Sequence, residues 1–197
     1  MKRRRACAAG GGVVAAFALA LPAMAQSFNI DFGNTLQGPG FGSPAITYGA
    51  ASGEVGTWQS INGVTASIPI ILNGHNGAPT TVTITSLNTV QGFGATANGA
   101  AGGDDALLLN DALDLGSPGT QHTFTLNNLA NGTYDVFIYA MAPDSASART
   151  RVNVNGPSPG PGSQVCGGAY TGVFLAPVTH VVFDDVAISA GQMQINT

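Results

Sequence analysis

Almost every apolar segment of this chain either alternates apolar with polar residues or forms a short apolar run, and Gly, Pro or Asn bounds most of these segments. A period of two puts successive side chains on opposite faces of a strand, so it predicts half-buried β-strands. The clearest examples are Val82-Thr-Ile-Thr85, His122-Thr-Phe-Thr-Leu126 and Arg151-Val-Asn-Val-Asn155. The predicted strands cover 28–32, 45–48, 57–61, 64–72, 80–86, 122–126, 133–140, 149–155, 178–188 (with a break at Asp184-Asp185) and 192–196.

Residues 104–114 depart from this pattern, because Leu108, Asp111 and Leu115 recur at helical offsets. Acids near the start of the segment oppose the positive end of a helix dipole, which favours a short helix. The Gly-rich stretches 91–103 and 156–168 predict surface loops. Short strands with one helix predict an all-β protein, an antiparallel β-sandwich of the jelly-roll kind, forming a single domain over 26–197.

The first 25 residues have the three parts of a secretory signal peptide. Met1-Lys-Arg-Arg-Arg5 is the basic region, an apolar stretch runs from Ala6 to Leu21, and Ala23-Met-Ala25 is the cleavage motif. A membrane anchor is the alternative, but Gly residues dilute the apolar stretch, and a spanning helix needs about 20 strongly apolar residues. We therefore predict a secreted, periplasmic or cell-surface protein with no integral membrane segment after cleavage. The general secretory and twin-arginine routes stay open.

The charge of the predicted mature chain excludes two classes of partner. Cleavage removes the four N-terminal cations, which leaves Arg149 and Arg151 against ten acids and a formal charge of −8. Without a basic patch to neutralise phosphates, binding to nucleic acid or to an anionic membrane surface is not expected. Cys166 is the one cysteine left after cleavage, which rules out an intrachain disulfide. A buried thiol is favoured over a link between chains, and the oligomeric state stays open.

Five short segments carry a family resemblance. They are Phe-Asn-Ile-Asp-Phe-Gly at 28–33, Thr-Tyr-Gly-Ala-Ala at 47–51, Gly-Thr-Trp at 56–58, the Leu-Asn-Asn-Leu-Ala-Asn-Gly-Thr-Tyr-Asp-Val-Phe-Ile-Tyr run at 126–139, and Val-Asn-Val-Asn-Gly at 152–156. In this order they resemble secreted bacterial modules of the galactose-binding-like, malectin-like β-sandwich type. They are also similar to exported bacterial proteins that carry a Pro-Glu-Pro sorting tail, which this sequence lacks. The resemblance implies a sandwich that binds carbohydrate through loops at one end, without catalysis.

Sugar binding normally uses an aromatic ring, on which a pyranose stacks, beside polar groups. Trp58 and Tyr170 are the aromatic candidates: Tyr170 lies in a Gly-rich stretch and is expected to be exposed, whereas a core position is favoured for Trp58. Arg149 and Arg151 share one face of a predicted strand. They predict either a clamp for an acidic sugar or ion pairs with Asp144 or Asp135, and the ion pairs are the safer interpretation.

The acidic segment supplies the densest group of oxygen ligands in the sequence. The candidate metal ligands are Asp104, Asp105, Asp111 and Asp114. Calcium takes six to eight oxygen ligands, so a structural calcium ion is one interpretation. The spacing matches no EF-hand loop, so a solvated helix start is the other interpretation, and it is the favoured one.

No catalytic motif is evident. The chain has no Gly-x-Ser-x-Gly elbow, and His75, His122 and His180 are far apart and outside any metal-binding motif. We therefore expect a non-catalytic module that binds glycan at the cell surface or in the extracellular matrix. The alternative is a structural or adhesive protein that self-associates through strand edges or Cys166, and a secreted hydrolase ranks third.

Overall fold

A computed structural model describes residues 26–33, 42–98, 101–116 and 119–197. The predicted signal peptide, 1–25, lies outside the described residues. Strands account for 41% of the structure and helices for 6%, which confirms the predicted all-β class.

The regular structure consists of short strands, one α-helix and one 3-10 turn at Ala50–Ser52 within the described ranges. In chain order the elements are β1 (Asn29–Asp31), β2 (Trp58–Ser60), β3 (Gly63–Val64), β4 (Ile70–Asn73), β5 (Pro79–Ser86), β6 (Val90–Gly94), α1 (Gly103–Leu109), β7 (Asp111–Asp114), β8 (Thr123–Asn127), β9 (Gly132–Tyr139), β10 (Thr150–Val154), β11 (Gln164–Cys166), β12 (His180–Ile188) and β13 (Gln192–Asn196).

The largest sheet has six antiparallel strands in the order β11-β10-β13-β8-β5-β4. A second antiparallel sheet has the order β3-β6-β7, and β9 pairs with β12 as a long antiparallel ribbon. β1 and β2 form a parallel pair in which Asp31 lies opposite Ser60. The protein is therefore built from several sheets that are mostly antiparallel.

The period-two pattern determines which face of the six-stranded sheet is buried. Val82 and Ile84 of β5, Leu126 of β8 and Met193 of β13 point inward and are buried. They pack with Ile188 of β12 and with residues of β3 and β6 in the main hydrophobic cluster. Burial of such side chains is the main stabilising term of a fold like this one. The alternating Thr, Asn and Gln side chains are thereby left on the opposite face.

The acidic segment is only partly helical, so the prediction for its second half is wrong. α1 ends at Leu109, where Asn110 caps its C-terminus, and Asp111–Asp114 form β7 instead. β7 pairs with β6, with Asp111 opposite Gly94. This pairing supplies backbone hydrogen bonds that outweigh the weak helical pattern.

Four other predicted segments differ from the structure. The predicted loop 91–103 contains most of β6, the loop 156–168 contains β11, the predicted strand 45–48 is a turn, and the predicted strand 64–72 is divided between β3 and β4. Ser67 explains the last difference, because its φ of 61° does not fit an extended strand. The predicted break at Asp184-Asp185 is confirmed as a register shift in β12, where Asp185 has a φ of 53°.

Candidate functional site

The two aromatic candidates are interior residues. Trp58 is 7% exposed, and its indole Nε1 donates to the Tyr48 carbonyl oxygen at 2.8 Å. Tyr170 is 5% exposed, so its predicted exposure is wrong. Neither ring presents enough surface for a pyranose to stack on it. The core position favoured for Trp58 is confirmed.

Trp58 and Tyr170 nevertheless belong to one group of rings, which we call the aromatic cluster. Its members are Tyr48, Trp58, Tyr139, Tyr170, Phe174 and His180. Phe174 is central, with its ring centroid 5.6 to 6.5 Å from four of the other rings. Leu108 and Leu109 of α1 pack against the cluster. Residues far apart in the sequence thus meet here, chiefly through tilted aromatic contacts.

Asp105 connects this cluster to α1. One carboxylate oxygen accepts from the Tyr48 hydroxyl and the other from the Tyr170 hydroxyl, both at 2.5 Å. Burial, followed by the hydrogen bond to Asp105, raises the pKa of Tyr170 to about 12 and that of Tyr48 further in the same direction. Both phenols are therefore neutral donors at ordinary pH, and the carboxylate acts as a structural acceptor for them.

His180 lies at the far side of the aromatic cluster and is buried. Its ring stacks on Phe137 with the centroids 6.1 Å apart, and Nδ1 lies 3.0 Å from the Thr179 hydroxyl. Burial lowers the pKa of His180. His122 is also buried, with Nε2 2.9 Å from the Leu115 carbonyl oxygen. Both histidines are therefore interior residues.

We expect His180 to make the protein less stable in mild acid. Below about pH 6.5 the unfolded chain takes up a proton at this histidine more readily than the folded chain does. The free energy of unfolding therefore decreases as the pH is lowered through this range. The substitution His180→Phe keeps an aromatic ring there and removes the proton site. The difference in melting temperature between wild type and His180→Phe should therefore change between about pH 7 and pH 5. A pH-independent difference would contradict this role.

The four predicted metal ligands do not come together. Asp104 accepts from the Ala45 N–H at 2.9 Å, Asp105 holds the two phenols, and Asp114 accepts from the Gly116 N–H at 2.7 Å. The early end of α1 places Asp111 in β7 and away from the helix carboxylates. Across the described ranges, no group of three or more His, Cys, Asp or Glu side chains is arranged to hold a metal ion.

Asp111 instead lies near Asp31, a carboxylate that the sequence analysis did not identify. Asp31 is 1% exposed at the end of β1. Burial and then the charge of Asp111 raise the pKa of Asp31 to about 8. Period two in residues 28–32 could not have predicted this burial, because it places Asn29 and Asp31 on the polar face of β1, opposite three apolar side chains.

The two arginines are exposed and are not ion-paired. Arg149 donates from Nη1 to the carbonyl oxygens of Ala146 and Ala148, at 3.0 and 2.7 Å. Neither arginine contacts a carboxylate of the described chain, so the predicted ion pairs with Asp144 or Asp135 are wrong. Arg149 precedes β10 and Arg151 lies within it, at the sheet margin.

Cys166 is buried with no exposed surface. Its thiol donates a weak hydrogen bond to the Val178 carbonyl oxygen at 3.5 Å, and burial raises its pKa. The favoured interpretation of a buried thiol is confirmed. A disulfide between chains would require β11 to move.

On the outer side of the six-stranded sheet, the strands β5, β8 and β13 form an uncharged surface, which we call the polar face. It consists of Thr81, Thr83 and Thr85 from β5, Thr123, Thr125 and Asn127 from β8, and Gln192, Gln194 and Asn196 from β13. The register aligns Thr85, Thr125 and Gln194 in one row across the three strands. Adjacent strands are about 4.8 Å apart, so the row is a regular array of hydroxyl and amide groups.

The polar face contains a depression and free hydrogen-bonding groups. The depression has a volume of about 510 Å³, and its lining includes Thr85, Leu87, Thr125 and Gln194. Leu87 is 68% exposed at its rim. Within the described residues, the side chains of Thr83, Thr125 and Gln194 make no hydrogen bond. These groups are therefore available to a ligand in solution.

Comparisons with family models, curated proteins and solved structures find no match to this chain. None of the described helices has the length and apolar character needed to cross a membrane.

Proposed function

We propose that this chain is an exported, non-catalytic module that binds neutral glycans at the cell surface or in the extracellular matrix. We assign it to the antiparallel jelly-roll sandwiches of the galactose-binding-like kind. The signal peptide predicted from the sequence of residues 1–25 supports the location. Packing of the inward side of the six-stranded sheet against β3, β6, β9 and β12 supports the architecture.

The observation that carries the binding proposal is the polar face. Neutral sugars offer hydroxyl groups, and the hydroxyl and amide side chains of this face are suitable partners because each can donate and accept. Thr125 and Gln194 lie in one row, with no internal hydrogen bond to break before a ligand binds. The exposed side chain of Leu87 gives the C–H surface of a sugar an apolar neighbour.

Charge favours a neutral ligand over an anionic one. The strands β4, β5, β8 and β13 contain no Asp, Glu, Lys or Arg. Desolvating uncharged groups costs less than desolvating ions, which suits a weak and reversible site. Arg151 lies on β10 beside this surface, so an acidic sugar is the less favoured variant of the same proposal.

The proposal excludes catalysis because the polar face lacks the groups that hydrolysis uses. Glycoside hydrolysis usually needs two carboxyl groups that flank the bond. Three carboxyl groups of the described chain lie away from the polar face and have other contacts. Asp105 accepts from two phenols, and Asp31 is buried with Asp111.

The test is a glycan array with the purified protein, followed by variants measured against the strongest ligand. Thr125→Val keeps the branched shape and removes the hydroxyl. It should weaken binding by about 2- to 13-fold, the equivalent of one hydrogen bond. Thr133→Val makes the same change at an exposed site on β9 and should leave the affinity unchanged. Absence of glycan binding, or equal effects of the two variants, would contradict the proposal.

Self-association is the second candidate, favoured by the edge of the six-stranded sheet. Strand β4 lies at this edge, and Ile71 on it is 58% exposed, beside Ile68 at 56%. The Gln59 amide covers part of the β4 backbone, because it donates to the Ile71 carbonyl oxygen and accepts from the Asn73 N–H. The exposed apolar side chains, rather than free backbone groups, are therefore what a second chain could contact. A mass above that of one chain in light scattering would favour this candidate, which gains weight if the array shows no ligand.

A further inference from the structure

Oxygen atoms from separate elements converge on Gly33, just after β1. A Cβ atom placed on Gly33 would lie 3.1 Å from Ser60 Oγ, 3.1 Å from Asn62 Oδ1 and 3.3 Å from Asp111 Oδ2. These three atoms come from β2, the segment after it and β7. Because glycine has no side chain, the space that they surround stays open.

Asp31 adds a second carboxylate to the same place. In the parallel pairing of β1 with β2 it lies opposite Ser60, and its charge interacts with that of Asp111. The Ser43 hydroxyl donates to the Asp31 carboxyl group. Its Oδ2 atom is nevertheless buried, with no hydrogen-bond partner among the described residues. A buried carboxylate oxygen of this kind is costly unless a proton or a cation neutralises it.

We propose that Asp31, Asp111, Ser60 and Asn62 form a calcium site beside Gly33. All the donors are oxygens, from two carboxylates, an amide and a hydroxyl group, and hard cations prefer this set. Two carboxylates balance the charge of Ca²⁺. Ser60 and Asn62 are exposed, so water can complete the six to eight ligands that calcium takes.

The location gives the ion a structural role. β1 and β2 form a separate parallel pair, and β7 belongs to the β3-β6-β7 sheet. Bound calcium would link these two units through Asp31 and Asp111. It would also relieve the like-charge repulsion between the two carboxylates.

Thermal unfolding with calcium or with a chelator tests the site in the purified chain. At a calcium concentration about 100 times Kd, the melting temperature of the wild type should rise by about 5–10 °C, and calorimetric titration should give one site per chain. Asp31→Asn should abolish the calcium-dependent rise. It should also melt at or above the wild-type temperature in chelator, because it replaces a buried carboxyl group, whose ionised form is costly, with an amide that cannot ionise.

Two further variants separate the site from a general effect of calcium. Gly33→Ala keeps every ligand but puts a methyl group among the three oxygens, and the φ of Gly33 is not in the left-handed region. It should also abolish the rise. Asp114→Asn changes an exposed carboxylate of β7, the strand that also contains Asp111, and should leave the calcium-dependent rise in melting temperature intact. A wild-type melting temperature that does not change with calcium would overturn the proposal. A calcium-dependent rise that is still present in both Asp31→Asn and Gly33→Ala would overturn it as well.

Discussion

Trp58→Ala should lower the free energy of unfolding by about 3–5 kcal/mol. The indole ring is buried among Leu108, Leu109 and Tyr170 in the cluster beside α1, and alanine would leave a cavity there. The Tyr48 carbonyl oxygen would also lose the hydrogen bond from Nε1. Urea denaturation followed by circular dichroism measures the loss.

Trp58→Phe is the matched control for this prediction. It keeps an aromatic ring in the cavity and removes the Nε1 donor, so it should cost about 1–2 kcal/mol. A loss below about 1 kcal/mol for Trp58→Ala would contradict the buried position of the ring. Loss of ligand binding in Trp58→Ala would reflect unfolding rather than a lost sugar contact.

Asp105→Ala should cost about 2–4 kcal/mol. It leaves the hydroxyl groups of Tyr48 and Tyr170 without their acceptor, and hydrogen bonds to a charged group are among the stronger ones. Partial exposure of Asp105 and Tyr48 keeps the cost below the sum for two fully buried bonds. Equilibrium denaturation of the single variant gives the value.

A double-mutant cycle assigns this cost to the two hydrogen bonds. In a chain that already carries Tyr48→Phe and Tyr170→Phe, the change Asp105→Ala should cost much less, because no phenol remains to lose its partner. Asp184→Ala, an exposed carboxylate on β12, should change stability by less than about 0.5 kcal/mol. An equal cost of Asp105→Ala in both backgrounds would contradict the role of Asp105.

Strands with a strict period of two could be predicted from the sequence. Val82-Thr-Ile-Thr85 lies within β5, and residues 123–126 lie in β8 with inward Phe124 and Leu126. Pairing partners could not be predicted in the same way. Residues 91–94 have little alternation, yet they pair with β7 because backbone hydrogen bonds do not depend on side-chain pattern. The same long-range pairing explains why α1 ends at Leu109, five residues before the end of the segment with the helical pattern.

The candidate sites could be predicted only in part, because they also depend on contacts between residues far apart in the sequence. Trp58, Tyr170 and the acidic segment were separate candidates in the sequence, and the structure brings Trp58, Tyr170 and α1 together inside the protein. The sequence does not show whether a single aromatic ring is buried or exposed, because its burial depends on tertiary packing. Asp31 was missed because its partner Asp111 is eighty residues away in the chain.

The affinity of two variants for the strongest glycan of the array shows whether the ligand binds at the proposed polar face or at the aromatic cluster. Gln194→Ala removes a free amide from the polar face and should weaken binding by about 2- to 13-fold, with little change in stability. Tyr170→Phe should lower stability and leave the affinity unchanged, because its hydroxyl group is bonded to Asp105 in the interior. Unchanged affinity in Gln194→Ala together with weakened affinity in Tyr170→Phe would contradict binding at the polar face.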